Sequence, residues 1–517
     1  MPAAAEAAVS RVEDPSLMKI LYCTDVEGNW DYFVAFIQVI QRDLRWNGAL
    51  AFESPEQTRL ILHPGYIFVF GGDVGDKGTG TLRIVKLLVQ LKTDYPDRVV
   101  LIAGNRDINK MRWTSEFTET EMNLSTMDPG IKDGPHWLEP KARANMSLRS
   151  YLCKDVLGVD PNQNDCCIEE VNTKVNRMLW MLKCTMGSDG DFERRRQELA
   201  IIQRVNNASM ITDDDVMDSF LSSVQPGGLM YKYLQLCVLG FYHGTTLFVH
   251  GGVMTVDKSK IMRNCLGLVP PFNSAQESYQ QWVQAIDAGS QQPSHSRQND
   301  IRLWIQQLNA WYTAQVNEWI AYPTWNKDHT FRGGENLQNY VHTNRPYSVV
   351  SGRHLERSSM PCRMTKQMTE QLWRQGLHRM IIGHTPHGNA PTVVKHVIEP
   401  DKSGVFEVIM CDTSYSDVKA KDMRGSCVSL LVVDDQERVW IQGHIAFNDG
   451  DISIDDEYGF STADDPFVGH ALETGEWIKT RLDPTRYLLC TVNAYHYTYK
   501  VVDQDFVAAH VKVHALE

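Results

Sequence analysis

The chain has 517 residues, of which 43% are hydrophobic and 22% charged, and its formal net charge is −13. This length allows two or three domains, or one large α/β core with insertions, and it can bury a core without disulfide staples. The acidic balance argues against a nucleic-acid-binding protein, whose binding surface is usually basic. Because no stretch reaches the roughly 20 apolar residues of a membrane span, no membrane association is expected.

The cysteine content and the N-terminal sequence predict the cellular compartment of the protein. There are 11 cysteines, an odd number, without a CxxC pair. Such thiols are typical of reduced proteins of the cytosol or nucleus. Residues 1–16 carry charges and lack the apolar run of a signal peptide. We therefore expect a flexible tail at 1–16 and a cytoplasmic protein, with the nucleus as the alternative.

The first hundred residues alternate between buried strands and amphipathic helices. Apolar runs predict strands at 18–24, 66–70 and 99–103, and helical spacing of apolar residues predicts helices at about 30–46 and 81–93. This β-α-β-α-β order predicts a parallel sheet. Polar clusters directly follow each strand, and the carboxyl ends of strands are where ligands bind in open α/β sheets.

The remainder of the chain predicts insertions into this core. A pattern of helices and polar loops replaces the strand pattern between the third strand and the next buried run at 246–249. Further strands are expected at 379–382, 393–399, 405–411, 427–433 and 438–445. The predicted organisation is a discontinuous core at 17–109 and 237–445 with a helical or loop insertion at about 271–375, a helical insertion or cap at 110–236, and a C-terminal extension at 446–517.

Two carboxylate motifs follow the first two strands. Asp25 and Glu27 stand two positions apart after the first, where both side chains can reach one ion. Asp73 follows two glycines after the second, and glycines let the backbone approach a ligand closely. In the same loop Asp76 can orient the site and Lys77 can bind a phosphate oxygen. The first motif alone is more typical of solvated acidic loop residues, and the second alone is equally typical of a glycine-rich turn with solvated charges.

Three further motifs follow later strands. Gly104 is followed by Asn105, Arg106 and Asp107. The amide oxygen of Asn105 is a plausible ligand for a hard metal, and the fork of donors on Arg106 suits a phosphate. His250 and His384 each end a predicted strand beside glycine, and a single histidine there is more often structural. The five motifs in this order, each at a strand end, predict one site that holds metals and a phosphate.

These motifs resemble those of the calcineurin-like metallophosphoesterase superfamily, over residues 17–109, 240–255 and 376–415. Their internal spacing is similar to that of phosphoprotein phosphatases and of bacterial diadenosine-tetraphosphatases. The resemblance implies an α/β fold, a four-layer α/β/β/α sandwich, with the helical insertions added to it. It also implies an enzyme that hydrolyses a phosphate ester or phosphoanhydride.

The resemblance implies two divalent metal ions, Mn²⁺ first, with Fe, Zn or Mg as alternatives. Its ligand set contains Asp25, Glu27 and Asp73 around the first ion and Asn105, His250 and His384 around the second, with Asp73 bridging. A hydroxide held between the ions would attack phosphorus. The catalytic residues that accompany this set are Asp76, Lys77, Arg106, Asp107 and, from the loop at 351–354, Arg353; His387 is a weaker candidate for the site.

Two residues depart from the family pattern. Glu27 stands where the family usually has histidine, and a carboxylate suits manganese, magnesium or ferrous iron better than zinc. Arg106 replaces the histidine that serves as general acid, and arginine cannot donate a proton at neutral pH. Gly-Asn-Arg-Asp also occurs in bacterial UDP-diacylglucosamine pyrophosphohydrolases of this superfamily. The replacement favours a leaving group that needs no protonation, such as a phosphate or aryl oxide.

Three functions remain open from the sequence. The first is a phosphohydrolase, for which Arg106 favours a nucleotide or pyrophosphate substrate and the motif spacing favours a phosphoprotein. The second is a scaffold that keeps the fold and has weak or no activity, for which Glu27 and Arg106 are the argument. The third is a protein-interaction role carried by the insertions and the tail, which is compatible with either of the others.

Overall fold

The computed structural model describes most of the chain, in ranges separated by short gaps: 18–128, 132–135, 138, 140–162, 167–256, 262–271, 277–289, 300–342, 345–398, 404–413, 427–448, 453–493 and 496–512. The predicted tail at 1–16 lies outside these residues. Every cysteine within them is a free thiol. Among the described helices, none combines the length and apolarity needed to cross a bilayer.

The strands of the described residues are, in chain order, β1 Lys19–Cys23, β2 Leu50–Phe52, β3 Leu60–Leu62, β4 Tyr66–Phe70, β5 Val99–Ile102, β6 Cys237–Val238, β7 Gly240–His243, β8 Thr246–Val249, β9 Met254–Val256, β10 Met262–Asn264, β11 Arg379–Ile382, β12 Thr392–Ile398, β13 Gly404–Met410, β14 Val428–Val433, β15 Val439–Asn448, β16 Ser453–Ser461, β17 Ala471–Leu472, β18 Trp477–Arg481, β19 Arg486–Asn493, β20 His496–Asp503 and β21 Val511–Lys512.

The α-helices are α1 Trp30–Arg42, α2 Thr81–Asp94, α3 Asn105–Asn109, α4 Arg112–Ser115, α5 Glu119–Met122, α6 Pro140–Asn145, α7 Leu148–Tyr151, α8 Ile168–Val171, α9 Lys174–Trp180, α10 Asp191–Gln203, α11 Asp213–Ser223, α12 Leu229–Leu236, α13 Tyr279–Asp287, α14 Ile301–Ala321, α15 Glu335–Tyr340, α16 Lys366–Arg374 and α17 Gln504–His510. Two π-helical turns, Leu152–Leu157 and Met181–Thr185, and a 3₁₀ turn, Ala208–Met210, lie in the helical region before β6.

Two sheets form the centre of the molecule. The first has the order β16-β15-β14-β1-β4-β5-β6, in which β1, β4, β5 and β6 are parallel and β14 to β16 are antiparallel. The second has the order β12-β13-β11-β8-β7, with β13, β11 and β8 parallel. The parallel arrangement predicted for the first three core strands is confirmed.

Alternating side chains on the strands divide the core into layers. Ile20 and Tyr22 on β1 belong to the cluster that also holds Phe248 of β8 and Ile381 of β11. The rings of Tyr22 and Phe248 lie 5.6 Å apart, so the two sheets pack directly against each other. The next residue along, Leu21, belongs to the other cluster, which contains the buried faces of the helices. Side chains alternate across a strand, so one face of each sheet packs against the other sheet and the opposite face packs against helices. Helices therefore cover both outer faces, as in the expected α/β/β/α sandwich.

Helix α1 illustrates how the local sequence sets an element. The Asn29 side chain caps it by accepting from the backbone N–H of Tyr32 at 3.0 Å. Phe33, Phe36, Ile37 and Ile40 then recur at helical spacing and are buried. The helix ends at Arg42, short of the predicted 46, because Asp43 adopts an extended conformation.

Several elements differ from the sequence prediction. The β2–β3 hairpin was not predicted, because its strands have only three residues each. The predicted start of the C-terminal extension at 446 falls inside β15, since β15 and β16 complete the first sheet. The remaining C-terminal strands form a third, antiparallel sheet of order β20-β19-β18-β17-β21. The domain boundaries themselves stay predictions.

Candidate metal and phosphate site

The predicted motifs lie at the carboxyl ends of β1, β4, β5, β8 and β11, in the two packed sheets. Backbone hydrogen bonds join the loops after the strands: the N–H of Asp25 donates to Gly72 O at 2.9 Å, and the N–H of Glu27 to Asp73 O at 3.0 Å. The N–H of Gly383 donates to His250 O at 2.8 Å. The sandwich therefore gathers residues from distant parts of the chain at one end.

The backbone of these loops is held in the left-handed region. Among the described residues, eleven other than glycine have positive φ, and five of them are predicted site residues: Asp25, Glu27, Asp73, Asp76 and His384. Each such residue costs on the order of 1–3 kcal/mol and persists only when its surroundings enforce it. The concentration of this strain here indicates a site built for a function.

Asp73, His250 and His384 form the compact centre of the site. One ligand atom from each lies within 4.8 Å of the other two. Asn105, the first residue of α3, adds its amide oxygen at 3.2 Å from Nε2 of His250. Asp73 and His250 are buried and His384 is half-buried. A carboxylate, an amide oxygen and two imidazoles together are a donor set for a transition-metal ion.

The imidazole of His250 is oriented for a ligand role. Its Nδ1 lies 2.8 Å from the carbonyl oxygen of Gly71, which accepts only from a protonated nitrogen. Nε2 therefore faces Asn105 and Asp73, whose Oδ1 is 3.4 Å away. This backbone contact to the far nitrogen is typical of histidines that bind metals. Burial opposes protonation, but the nearby carboxylate of Asp73 outweighs it and raises the pKa of His250 to about 10.

The pKa values of Asp25 and Asp73 shift in opposite directions. Burial, followed by repulsion from Asp73, raises the pKa of Asp25 to about 7. Its carboxylate accepts from the Thr24 hydroxyl at 2.5 Å and from the backbone N–H of His384 at 3.0 Å. Burial also disfavours the charged form of Asp73, but attraction by His250 and Arg106 holds its pKa well below the usual range.

Glu27 is paired with two cations of the same site. Its Oε1 lies 3.0 Å from Nζ of Lys77 and 3.0 Å from Nε of Arg106. Arg106 also approaches Asp73, with 3.5 Å between Nε and Oδ2. Neighbouring carboxylates, Glu27 first, outweigh burial and raise the pKa of the Arg106 guanidinium further, so it remains charged.

Asp76 and Asp107 fix the loops beside these cations. Asp76 is ion-paired with Lys110 and accepts from the Ser188 hydroxyl at 2.8 Å. Asp107 accepts the backbone N–H groups of Asp73, Val74 and Gly104 at 3.0, 2.9 and 2.9 Å. These contacts indicate that both carboxylates hold the site in shape.

The two remaining candidates, Arg353 and His387, lie at different depths. Arg353 is half-buried, and its charge, after burial, helps to lower the pKa of His384. His387 is buried, with Nδ1 3.0 Å from the Thr392 hydroxyl. Lys479 of β18 donates to its carbonyl oxygen. His387 thus joins the site loop to the third sheet.

Sequence reasoning missed four residues that support the site: Thr24, Lys110, Ser188 and Lys479. Thr24 is adjacent to Asp25, and Lys110 lies one residue beyond α3, so proximity to a motif could have indicated both. Ser188 and Lys479 are 112 residues from Asp76 and 92 residues from His387. No local pattern marks residues that meet only through the tertiary fold.

A metal ion fits one part of this arrangement. His384 Nε2 is buried and has no hydrogen-bond partner among the described residues, and it belongs to the compact group with Asp73 and His250. An unpaired buried nitrogen is costly unless a ligand satisfies it. Oε1 of Glu27, by contrast, is already paired with Lys77 and Arg106. The geometry therefore fits an ion at the histidines, whereas at Glu27 two cations compete with an ion for Oε1.

The family comparison agrees with the site motifs in the first part of the chain. The model of the calcineurin-like phosphoesterase family matches residues 18–151. This confirms the resemblance predicted from the sequence and supports a metal-dependent phosphoesterase. The match includes the loops after β1, β4 and β5, whereas His250 and His384 lie beyond it.

Comparison with solved structures gives a more distant similarity. A protein serine/threonine phosphatase from Saccharomyces cerevisiae, described as similar to human phosphatase PP5, is 12% identical, with 85% of this chain and 83% of that chain covered at a TM-score of 0.30. A similarity at this level supports no statement about activity. The comparison with curated proteins finds no match.

Proposed function

We propose that this protein hydrolyses a phosphate ester or phosphoanhydride with a divalent metal held by Asp73, Asn105, His250 and His384. The observation that carries the proposal is the convergence of ligand atoms from Asp73, His250 and His384 within 4.8 Å. Lys77 and Arg106, paired with Glu27 at 3.0 Å, stand beside this group. Metal ligands next to fixed cations suit a phosphate, which carries more than one negative charge.

Each side chain of the site has a distinct role in such a reaction. A bound divalent ion would polarise a phosphoryl oxygen and acidify a water molecule. Lys77 and Arg106 offset the charge of the phosphate and of its transition state. Arg353, close enough to influence His384, supplies a further positive charge on the histidine side. Asp107 keeps the Asp73 loop against α3.

The preferred substrate follows from the residue at position 106. Arg106 keeps its proton because neighbouring carboxylates stabilise the guanidinium, so it cannot protonate a leaving group. It can stabilise negative charge that develops on one. We therefore favour a nucleotide, another phosphoanhydride or an aryl phosphate over a phosphoserine or phosphothreonine. The mixed oxygen and imidazole donors favour Mn²⁺, with Fe, Zn and Mg as alternatives.

The test is hydrolysis of p-nitrophenyl phosphate and bis-p-nitrophenyl phosphate with added Mn²⁺, using Asp73→Asn as the matched variant. Turnover that requires both Mn²⁺ and Asp73 supports the proposal and justifies a screen of nucleotides and phosphopeptides. Full turnover by an Asp73→Asn protein with an unchanged metal content would reject the assignment.

A scaffold without catalytic activity is the alternative, and the neutralised carboxylate of Glu27 is the observation that favours it. Absence of turnover together with absence of bound metal would select this alternative. The helical region 110–236 and the third sheet would then be the first surfaces to test for protein partners.

A further inference from the structure

Arg106 lies where the family pattern expects the first of two metal ions. Its Nε is 3.0 Å from Oε1 of Glu27 and 3.5 Å from Oδ2 of Asp73. In the family pattern the residues at these two positions, the first usually a histidine, hold that ion together with Asp25. Here a guanidinium nitrogen lies between their oxygens.

The contacts of Glu27 leave little freedom to bind a metal as well. Lys77 and Arg106 both approach the same oxygen, each at 3.0 Å, and the Glu27 side chain is only 7% exposed. A metal ion would need an oxygen of this carboxylate at about 2.0–2.2 Å. Oε1 already carries two partly buried cations. A metal ion at Oε1 would displace a cation, and that cation's charge would lose its partner in a largely buried site, which is strongly unfavourable.

Arg106 is also held by groups outside the carboxylate cluster. Its Nη1 donates to the carbonyl oxygen of Gly187 at 3.1 Å and lies 3.5 Å from Oδ2 of Asp76. Its backbone N–H donates to Oδ1 of Asp73 at 3.0 Å. Gly187 belongs to the turn between the second π-helical segment and α10, so the helical region positions the guanidinium.

The second metal position has the opposite character. His384 Nε2 has no hydrogen-bond partner among the described residues. Nε2 of His250 faces Asn105 and Asp73, and its close polar contacts are with the oxygens of these two side chains. One half of the site is therefore filled by protein cations, and the other half presents converging ligands.

We propose that the protein binds a single metal ion, at Asp73, Asn105, His250 and His384, and that Arg106 and Lys77 supply the positive charge of the first ion. This inference rests on the proposed function for the presence of a metal, but it concerns the number of ions. The site would then recognise a phosphate with one metal, a guanidinium and an ammonium group.

The test counts Mn²⁺ in the full-length protein. Metal-free protein is titrated with Mn²⁺, the bound ion is measured by equilibrium dialysis and elemental analysis, and the electron paramagnetic resonance spectrum is recorded. We expect one equivalent per chain and the spectrum of an isolated Mn²⁺ ion. Two equivalents with the spectrum of a coupled pair would overturn the inference and leave the proposed function standing.

Variants separate the two halves of the site. Glu27→Gln should still bind one equivalent, and His384→Ala should lose it. Glu27→His combined with Arg106→His should gain a second equivalent, because the guanidinium no longer lies beside Asp73 and an imidazole is added at each position. Loss of the only equivalent in Glu27→Gln would contradict the inference.

Arg379→His is the matched control for this double variant. Arg379 forms a buried pair with Glu407 at 3.1 Å, with 11% and 8% side-chain exposure, at the opposite end of β11 from His384. It should keep one equivalent. If wild-type protein binds no Mn²⁺, both the inference and the metal-dependent function fail, and the hydrolysis assay shows whether any activity remains. The wild-type spectrum decides the question even if the double variant does not fold.

Discussion

Lys479 and His387 connect the third sheet to the loop that carries His384. The fully buried ammonium group of Lys479 donates to the carbonyl oxygen of His387 and to the Thr392 hydroxyl. Two tyrosines of β20 contact the same loop: Tyr497 donates to Pro386 O, and Tyr499 accepts from the Asn389 N–H, both at 3.1 Å. The C-terminal sheet therefore helps to hold a metal-ligand loop.

Lys479→Met should weaken metal binding through this loop. Loss of the ammonium group removes a donor from two buried oxygens, of which His387 O keeps the Thr392 hydroxyl as a donor at 3.1 Å. We expect a cost of about 1–3 kcal/mol of unfolding free energy. Loss of a supporting contact should raise the dissociation constant for Mn²⁺ by about tenfold. Calorimetric titration and denaturant unfolding measure the two effects.

Lys395→Met separates loop positioning from general destabilisation. Lys395 is also buried, and it donates to Thr462 O at 2.8 Å and to Asp465 O, away from the His384 loop. We expect a similar loss of unfolding free energy with unchanged Mn²⁺ affinity. Equal effects of both variants on Mn²⁺ affinity would contradict a specific role for Lys479.

Gly104 is required because Asp73 approaches it closely. A Cβ at position 104 would lie 2.1 Å from Oδ1 and 2.4 Å from the backbone nitrogen of Asp73, so one of the two loops must move. We expect Gly104→Ala to raise the Mn²⁺ dissociation constant about 10–100-fold, the range for changes beside a ligand. The measurement is the same calorimetric titration.

Gly459→Ala is the matched control for this substitution. The exposed Gly459 has space for a Cβ, whose nearest neighbour would be the Gln442 Cβ at 3.4 Å. Its Mn²⁺ affinity should equal that of the wild type. A Gly104→Ala protein with wild-type affinity would show that the Asp73 loop tolerates displacement.

The same close contacts explain what the sequence could and could not predict. Apolar runs ending in Asp73, Asn105 or His384 predicted strand ends, and strand ends converge in an α/β sandwich. The prediction that Glu27 binds a metal came from its spacing to Asp25 and from the family pattern. The pairing of Glu27 with Arg106 depends on how closely the loops after β1 and β5 approach each other in the fold. No periodic pattern in the sequence indicates that a cation at position 106 pairs with a carboxylate at position 27. The third sheet was missed because its contacts with the site involve residues some 90–110 positions apart.

Two buried histidines should make the protein sensitive to acid. Burial lowers the pKa of His354 to about 4, and burial with repulsion from Arg363 lowers that of His396 to about 3. In the unfolded chain both groups titrate near about 6.5. Between about pH 4 and about pH 6.5 the folded state binds fewer protons than the unfolded state, so the free energy of unfolding falls as the pH drops below 6.5.

From pH 7 to pH 5, each histidine should remove about 2 kcal/mol of unfolding free energy, at about 1.4 kcal/mol per pKa unit. His354→Gln should reduce this loss by about the same amount, as measured by denaturant unfolding at the two pH values. His63→Gln, at an exposed position, is the control and should retain the wild-type loss. An unchanged pH dependence in His354→Gln would show that His354 does not titrate between the two states.

Arg106→His tests the proposed substrate preference. An imidazole at this position can protonate a leaving group, which arginine cannot do. General acid catalysis contributes about 10²–10⁴-fold. We therefore expect the ratio of kcat/KM for a phosphoserine peptide to that for p-nitrophenyl phosphate to rise by about 100-fold, because the aryl oxide leaves without a proton and the serine alkoxide does not.

Arg106→Gln distinguishes proton donation from loss of the guanidinium. Both variants remove the ion pair with Glu27 at 3.0 Å and the contact with Asp73 at 3.5 Å, so both should lose activity towards the aryl ester. Only the histidine variant should gain on the alkyl ester relative to the aryl ester, and the gain should disappear above the pKa of the new imidazole. If the ratio rises equally in both variants, Arg106 excludes alkyl phosphates by its charge or size, and the argument from proton donation fails.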